Sequence, residues 1–207
     1  MQTVKIFLAS QSPRRKLLLE TLGAVPIVVP ADPHIDAEAL EAPIPNEDPL
    51  AYVQRIALIK RDQGLTQIKT AFSPELLDPN NLVIAADTTV ALAGEILGKP
   101  QSEAHAMQML QKLSGKTHQV HTAIAIAKLD RSQERSIVVS SDVTFAALSE
   151  DWIAGYIHSK EPLDKAGAYG IQGIAQAMIP KISGSYSAIV GLPLYETRQL
   201  LQAFGWR

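Results

Sequence analysis

The chain of 207 residues contains no cysteine. This absence excludes disulfides, thiolate nucleophiles and cysteine-ligated zinc or iron–sulfur sites. A lack of disulfides is typical of proteins in a reducing compartment. Long apolar runs are also missing, since none approaches the roughly 18 residues that a membrane helix needs. The N-terminus lacks the basic and then apolar pattern of a signal peptide. These absences predict a soluble cytoplasmic protein with no membrane partner.

An excess of positive charge is missing as well. Lysine and arginine number 19 against 21 acidic residues, which gives a formal net charge of −2. Proteins that coat nucleic acids are normally basic, so we expect no nucleic-acid partner. A hydrophobic content of 46% with 19% charged residues is ordinary for a globular protein. The length predicts a single domain over residues 1–207.

Apolar patterns alternate between strand-like and helix-like segments. Strands are predicted over residues 4–9, 25–29, 82–92, 96–97, 117–128, 136–148 and 174–182. Helices are predicted over residues 13–22, 49–60, 102–113 and 193–204, with another starting at residue 149. Residues 30–48 are predicted as a loop and residues 64–81 as a surface excursion. Since β-hairpins follow an initial strand–helix alternation, we predict an α/β fold with a mixed twisted sheet flanked by helices.

The first predicted helix begins with an unusual charge pattern. Ser12 suits the N-cap and Pro13 the first helical position. Residues 14–16 are three cations, and each is unfavourable by roughly 0.3–1 kcal/mol beside the positive end of the helix dipole. With the hydroxyls of Ser10 and Ser12 and the free backbone N–H groups, they predict an anion site whose ligand is phosphate. The alternative is a solvated basic turn on a surface helix.

A single acid, Asp87, interrupts the most apolar run of the sequence. A carboxylate at the end of a buried strand needs a cation, a metal or several hydrogen bonds. Functional residues of α/β folds gather at strand ends, which favours a metal ligand or a general base. A capping aspartate bonded to local N–H groups is an equal alternative.

Two lysines and a glutamine are weaker candidates. Lys99 follows a glycine turn without P-loop spacing, and Pro100 stands where Ser or Thr is required, so Lys99 is either a phosphate contact or a solvated lysine. Lys60, at the predicted end of its helix, is equally explained by the helix dipole. Gln172 lies in a glycine-rich run where its amide suits the edge of a nucleobase, unless the run is a plain hinge.

Five short motifs stand in order along the chain: LASQSPRRK (8–16), ADT (86–88), GKP (98–100), EPLDKAGAYGIQG (161–173) and GSYSAIVGLP (184–193). Together they resemble the Maf family of nucleoside triphosphate pyrophosphatases, first named for inhibiting septum formation. The resemblance covers residues 4–204. It implies two lobes around a nucleotide cleft, a nucleoside triphosphate substrate, a divalent cation (Mg²⁺ or Mn²⁺) as cofactor, and often a homodimer.

The resemblance also implies roles for individual residues. Asp87 matches the family's proton acceptor and a metal ligand. The sequence Tyr-Gly-Ile-Gln-Gly resembles the form of this motif in the dTTP/UTP branch rather than in the 7-methyl-GTP branch. Positions associated with substrate selection are matched by Arg14, Thr88 and Gln172. Other polar cleft positions are matched by Ser10, Ser12, Arg15 and by Lys60 and Lys99, which we expect to be catalytic.

One position departs from the family pattern. After the second strand the family usually has Asp-Glu, whereas Asp36 is followed here by Ala37. We expect Glu38 to take the place of that glutamate as a metal ligand, because a proline-rich loop allows a shift of register.

The predicted reaction is hydrolysis of dTTP or UTP to the monophosphate and pyrophosphate, in nucleotide-pool housekeeping or cell-division arrest. One alternative is a nucleotide-sensing regulatory protein that acts on septum formation through partners. A nucleotidyltransferase is another alternative, since it would also release pyrophosphate but attach the nucleotide to an acceptor.

Overall fold

A computed structural model describes residues 4–206, without the side chains of residues 37 and 38. Within these residues seven strands form one mixed sheet in the order β2-β1-β3-β5-β6-β7, with β4 also paired to β3. The strands are β1 (Ile6–Leu8), β2 (Ile27–Val28), β3 (Leu82–Leu92), β4 (Glu95–Leu97), β5 (Thr117–Lys128), β6 (Glu134–Thr144) and β7 (Lys181–Ser183). The helices are α1 (Pro13–Thr21), α2 (Ala37–Glu41), α3 (Pro49–Ala71), α4 (Glu103–Leu113), α5 (Glu150–His158), α6 (Tyr186–Val190) and α7 (Leu194–Ala203). The predicted fold class is confirmed.

The sheet is interrupted along one edge of β3. Strand β1 pairs in parallel with the start of β3, up to Ile84, and β4 pairs antiparallel with its end, from Val90. The other edge of β3 pairs with β5 over nearly its whole length. In the part of the chain that the structure describes, residues 85–89 therefore have no strand on the edge between β1 and β4. We call this gap the notch.

Helices pack on both faces of the sheet and at its far end. Helices α1 and α7 cover one face of β1 and β3, and α3 covers the opposite face. Helices α4 and α5, with residues 166–178, enclose a separate core around Phe145 and Tyr156 at the far ends of β3 and β5. We call this second group the far lobe. The notch lies between the two groups, as the expected two-lobed arrangement requires.

Helix α3 is longer than predicted, because it continues to Ala71 and includes residues 64–71. Apolar periodicity is not clean in residues 64–81, which is why they are predicted as a surface excursion. A Cβ atom at Gly64 would lie 2.5 Å from the Cβ atom of Ala9, so glycine is needed where α3 crosses the end of β1. The same glycine is a helix breaker by propensity and a packing requirement in the fold.

Three shorter predictions were also wrong in part. The segment 30–48 contains helix α2, which begins because the carboxylate of Asp36 accepts from the N–H of Ala39 at 3.0 Å. Strand β2 spans two residues instead of five. Residues 174–178 form a 3₁₀ helix and not a strand, since the N–H of Ile174 donates to Glu161 and not to a neighbouring strand. No helix between residues 4 and 206 is long and apolar enough to cross a membrane.

The core of the far lobe contains a buried histidine, His118 on β5. Its Nε2 lies 2.7 Å from the hydroxyl oxygen of Tyr169, and its ring stacks on Phe145. Its other ring nitrogen, Nδ1, is buried without a hydrogen-bond partner within the described chain. Burial lowers the pKa of His118 to about 4. The folded protein therefore keeps this imidazole neutral at neutral pH.

We expect the free energy of unfolding to fall as the pH is lowered from 6.5 to 4. In that range the unfolded chain protonates this histidine while the folded chain does not, so the unfolded state binds more protons and is favoured. The shift corresponds to a loss of about 3 kcal/mol. Denaturant titrations across this pH range measure it.

The matched variants for this experiment are His118→Gln and His158→Gln. The first should be less stable at pH 7 but lose less stability on acidification, since the titrating ring is gone. The second changes a histidine on the exposed end of α5 and should follow the wild-type curve. Parallel pH curves for all three proteins would show that His118 is not held neutral.

Candidate active site

A cleft of about 1430 Å³ opens at the notch. This exceeds the roughly 300–1,000 Å³ of typical small-molecule sites, so it has room for a large polar ligand. The side chain of Glu38 lies outside the described residues, and its role stays a prediction. Nine of the predicted site residues line the cleft: Ser10, Ser12, Arg14, Arg15, Lys60, Asp87, Thr88, Lys99 and Gln172.

The start of helix α1 forms one wall of the cleft. Its cap is the predicted one, because the hydroxyl of Ser12 accepts from the N–H of Arg15 at 3.4 Å and Pro13 is the first helical residue. The hydroxyl of Ser10 accepts from the N–H of Ser12 at 3.2 Å. The first turn contains no acid that would neutralise its positive charge, so this charge is available to a ligand in the cleft.

The two arginines of this turn differ in their surroundings. Arg14 is exposed on the cleft wall. Arg15 is half-buried and donates to the carbonyl oxygen of Gly191 at 2.9 Å and to the hydroxyls of Ser10 and Thr88, both at 3.3 Å. Burial lowers the pKa of Arg15, and the carboxylate of Asp87 partly offsets this effect. Arg15 thus joins α1 to β3 and to the end of α6, while Arg14 is available to a ligand.

The hydroxyl of Thr88 belongs to a chain of hydrogen bonds inside the protein. Thr122 donates to the carbonyl oxygen of Ala188 at 2.7 Å, and the hydroxyls of Thr88 and Thr122 lie 3.0 Å apart. Because Thr122 uses its proton on Ala188, Thr88 donates to Thr122 and accepts from Arg15. The single proton of Thr88 is therefore used within the protein.

Asp87 lies within β3, opposite Ala123, and not at the end of a strand as predicted. The notch nevertheless opens the strand edge beside it, and 7% of the residue remains exposed. Its Oδ1 accepts from Nζ of Lys60 at 2.7 Å. The partner comes from α3 and not from local N–H groups, so the capping alternative is not supported.

Lys60 lies in the middle of α3, which makes the helix-end explanation for it wrong. Its ammonium nitrogen is also 2.9 Å from Oε1 of Glu41. Two carboxylates, those of Asp87 and Glu41, thus meet at one cation on the cleft wall. The sequence pattern did not indicate Glu41, because residues 30–48 were predicted as a loop. The Asp36 cap, which starts a helix that ends at this acid, was the available signal.

The residues present fit a divalent cation only in part. No group of three His, Cys, Asp or Glu side chains in the described part of the chain is arranged to hold a metal. Mg²⁺, however, is commonly bound by one or two carboxylates while substrate phosphates and water complete its shell. Asp87 and Glu41 form such a pair, and the ammonium between them marks a point where positive charge is stabilised.

The opposite wall carries Gln172 and Lys99, both with exposed side chains. The glycine-rich segment is tied to the Lys99 segment by a hydrogen bond from the N–H of Gly167 to the carbonyl oxygen of Gly98, at 3.0 Å. Gly167 has a φ of 68°, and a Cβ atom there would lie 2.9 Å from the side chain of Val90. Glycine is required at this contact for both reasons.

Comparison with known proteins identifies the family of the chain. Residues 5–204 match the sequence model of the family described as Maf-like protein. A dTTP/UTP pyrophosphatase of Albidiferax ferrireducens is 48% identical over 98% of each chain. Proteins of the same name are 43% identical in Aromatoleum aromaticum, over 98% of this chain and 96% of the relative, and 45% identical in Methylobacillus flagellatus, over 97% and 93%. A solved nucleoside-triphosphatase / dITP/XTP pyrophosphatase of Mycobacterium abscessus has a TM-score of 0.48, with 14% identity over 97% of this chain and 94% of that one. The family match over nearly the whole length shows that this chain belongs to the Maf family.

Proposed function

We propose that this protein hydrolyses dTTP and UTP between the α- and β-phosphates, giving the nucleoside monophosphate and pyrophosphate. The observation that carries the proposal is the convergence of nine predicted Maf-site residues on one cleft. Relatives named dTTP/UTP pyrophosphatase, 43–48% identical over nearly their full length, support the choice of substrate. The lack of cysteine is typical of a reducing compartment, so we place the protein in the cytoplasm. A homodimer remains the family-based expectation.

The triphosphate binds against the start of α1 and the lysine of the opposite wall. The backbone N–H groups of the first turn, Arg14 and Lys99 supply positive charge from the two sides of the cleft. Arg15 contributes charge from a fixed position, because its three hydrogen bonds to the protein hold the guanidinium in place. This arrangement stabilises the departing pyrophosphate without reorganisation during the reaction.

Asp87 serves as the general base. Water attacks the α-phosphorus and forms a new P–O bond, the bond from that phosphorus to the bridging oxygen breaks, and pyrophosphate leaves. The proton of the attacking water passes to the carboxylate of Asp87, which the ammonium of Lys60 orients at 2.7 Å. Gln172 offers both donor and acceptor atoms to the pyrimidine edge, and a base that leaves its amide unpaired binds less well.

A divalent cation, Mg²⁺ or Mn²⁺, completes the proposal. When bound, it supplies charge neutralisation for the phosphate oxygens. Asp87 and Glu41 would hold it, since both carboxylates already share one cationic partner in the cleft. Glu38, the ligand predicted from the sequence, lies three positions earlier on the short helix α2.

We expect Glu41→Gln to raise the Mg²⁺ concentration needed for half-maximal activity by about tenfold or more, because one anionic ligand is lost. Titration of activity with Mg²⁺ measures the change. Glu38→Gln is the matched variant on the same helix, and its requirement should stay near that of the wild type. The reverse result, with only Glu38→Gln raising the requirement, would assign the ligand to Glu38.

A panel of nucleoside triphosphates tests the proposed function. Purified protein is incubated with dTTP, UTP, dCTP, CTP, ATP, GTP and 7-methyl-GTP, each with Mg²⁺, with Mn²⁺ or with a chelator, and both products are identified by chromatography. We expect pyrophosphate and the free monophosphate from dTTP and UTP. Tight binding without turnover would instead support a nucleotide sensor. A monophosphate attached to an acceptor would support a nucleotidyltransferase.

A further inference from the structure

The loop that carries Gln172 is held by a carboxylate from outside the loop. It connects two 3₁₀ helices, Ala166–Ala168 and Ile174–Met178, and its side chain at position 172 is exposed on the cleft wall. Without a strand partner, the position of such a loop depends on side chains that bond to its backbone. Glu161 and Tyr156 are those side chains.

Glu161 holds the loop directly with one carboxylate oxygen and through the hydroxyl of Tyr156 with the other. Oε2 accepts from the N–H of Ile174 at 3.1 Å. Oε1 accepts from the hydroxyl of Tyr156 at 2.8 Å, and that hydroxyl accepts from the N–H of Gly170 at 3.1 Å. The backbone is therefore fixed two residues before Gln172 and two residues after it.

Two glycines of the loop leave room for the side chains of Glu161 and Lys165. A Cβ atom at Gly173 would lie 1.9 Å from Oε1 of Glu161, and one at Gly170 would lie 2.9 Å from Cε of Lys165. The ammonium of Lys165 donates to the carbonyl oxygen of Glu161 at 2.7 Å and so fixes the backbone that carries the carboxylate. The glycine spacing thus allows the loop backbone to lie directly on the Glu161 side chain.

The contact requires a carboxylate and a protonated phenol. Tyr156 is 2% exposed, and burial raises its pKa, so its hydroxyl keeps the proton that it donates to Glu161. Both donors, the N–H of Ile174 and the hydroxyl of Tyr156, point at one side chain. A glutamine there would offer an oxygen to one donor and an NH₂ group to the other, so one of the two donors would lose its acceptor.

We propose that Glu161 is a positioning residue that sets base selectivity by fixing the loop of Gln172. The inference rests on the proposed function, in which Gln172 contacts the pyrimidine. Glu161 also lines the cleft, but its two carboxylate oxygens accept from Tyr156 and Ile174, so it acts through the backbone at positions 170 and 174 and does not take part in bond breaking. Its loss should alter the choice between bases more than the rate on the preferred base.

The test compares Glu161→Gln and Tyr156→Phe with Glu103→Gln. Glu103 is an exposed acid of the far lobe that pairs with Lys160 and does not line the cleft. For each protein we measure kcat/KM on UTP and on CTP, and the hydrogen exchange of the amides at residues 170–174 without nucleotide. Glu161→Gln should lower the UTP/CTP ratio of kcat/KM by about tenfold, equivalent to one well-placed hydrogen bond. Tyr156→Phe should have a smaller effect, since the bond to Ile174 remains.

The exchange experiment separates this inference from the proposed function. Faster exchange at residues 170–174 is expected in Glu161→Gln and not in Glu103→Gln. An equal loss of kcat/KM on both nucleotides, with an unchanged ratio, would reduce Glu161 to a structural residue. If the wild-type protein hydrolysed no nucleotide, the proposed function would be wrong. Unchanged exchange at residues 170–174 in Glu161→Gln would show separately that Glu161 does not fix the loop.

Discussion

Asp87→Asn is expected to lower kcat by about 10³-fold while the protein remains folded. A general base contributes roughly 10²–10⁴-fold, and asparagine cannot accept the proton of the attacking water. Stability should change little, because Lys60 keeps its second partner, Glu41, at 2.9 Å. Steady-state kinetics on dTTP with a thermal unfolding curve measure both quantities.

The control for this substitution is Asp142→Asn. Asp142 lies on β6 of the same sheet, is exposed and does not line the cleft. Its variant should keep wild-type kcat and a similar melting temperature. Turnover of Asp87→Asn within threefold of the wild type would remove Asp87 from the mechanism, whatever the unfolding curve shows.

The features predicted well from the sequence depend on local chemistry. The cap at Ser12 and the proline at position 13 follow from rules that involve only neighbouring residues, and the structure shows both. The buried run of β3 and the hairpin to β4 follow from composition and a short turn in the same way. The five motifs then identified residues that line the cleft, including Gln172, although a sequence contains no information on the distances between them.

The features that were missed depend on contacts between distant segments. Helix α3 continues through residues 64–71 although their apolar periodicity is not clean, and Gly64 allows it to pack closely on Ala9. Lys60 and Asp87 are 27 residues apart, and their ion pair exists only because α3 crosses the sheet at the notch. Neither periodicity nor residue type distinguishes this lysine from a solvated one.

The notch could not be predicted from local sequence patterns either. Asp87 was expected at the end of a strand because functional residues of α/β sheets are usually found there. In this chain Asp87 is accessible although it lies within a strand. The edge of β3 beside it is open, because β1 ends at Leu8 and β4 pairs with β3 only from Val90. Adjacent residues of β3 point to opposite faces of the sheet, and the gap lets Asp87 and Thr88 line one cleft.

The second large effect is expected at the start of α1. Arg14→Ala and Arg15→Ala should each lower kcat/KM by about 10²-fold, because each removes one charged donor to a phosphate. Their effects on stability should differ. Arg14 is exposed and its charge is unfavourable beside the helix dipole, so its loss should leave the melting temperature unchanged or slightly higher. Arg15 donates to Gly191, Ser10 and Thr88, so its loss should reduce the free energy of unfolding by about 2 kcal/mol.

Lys16→Ala is the matched control, because Lys16 is the third cation of the same turn, is exposed and does not line the cleft. It pairs with Glu20 on the surface of the helix and should leave both activity and stability near wild type. Kinetics on dTTP and denaturant titration of the four proteins therefore separate ligand binding from folding. If Arg14→Ala kept full activity, the turn would be a solvated basic surface, and the phosphate would have to be bound by the remaining charges of the cleft. If Arg14→Ala lost activity at unchanged stability while Lys16→Ala lost neither, the unfavourable charge at this helix start would be explained by the ligand.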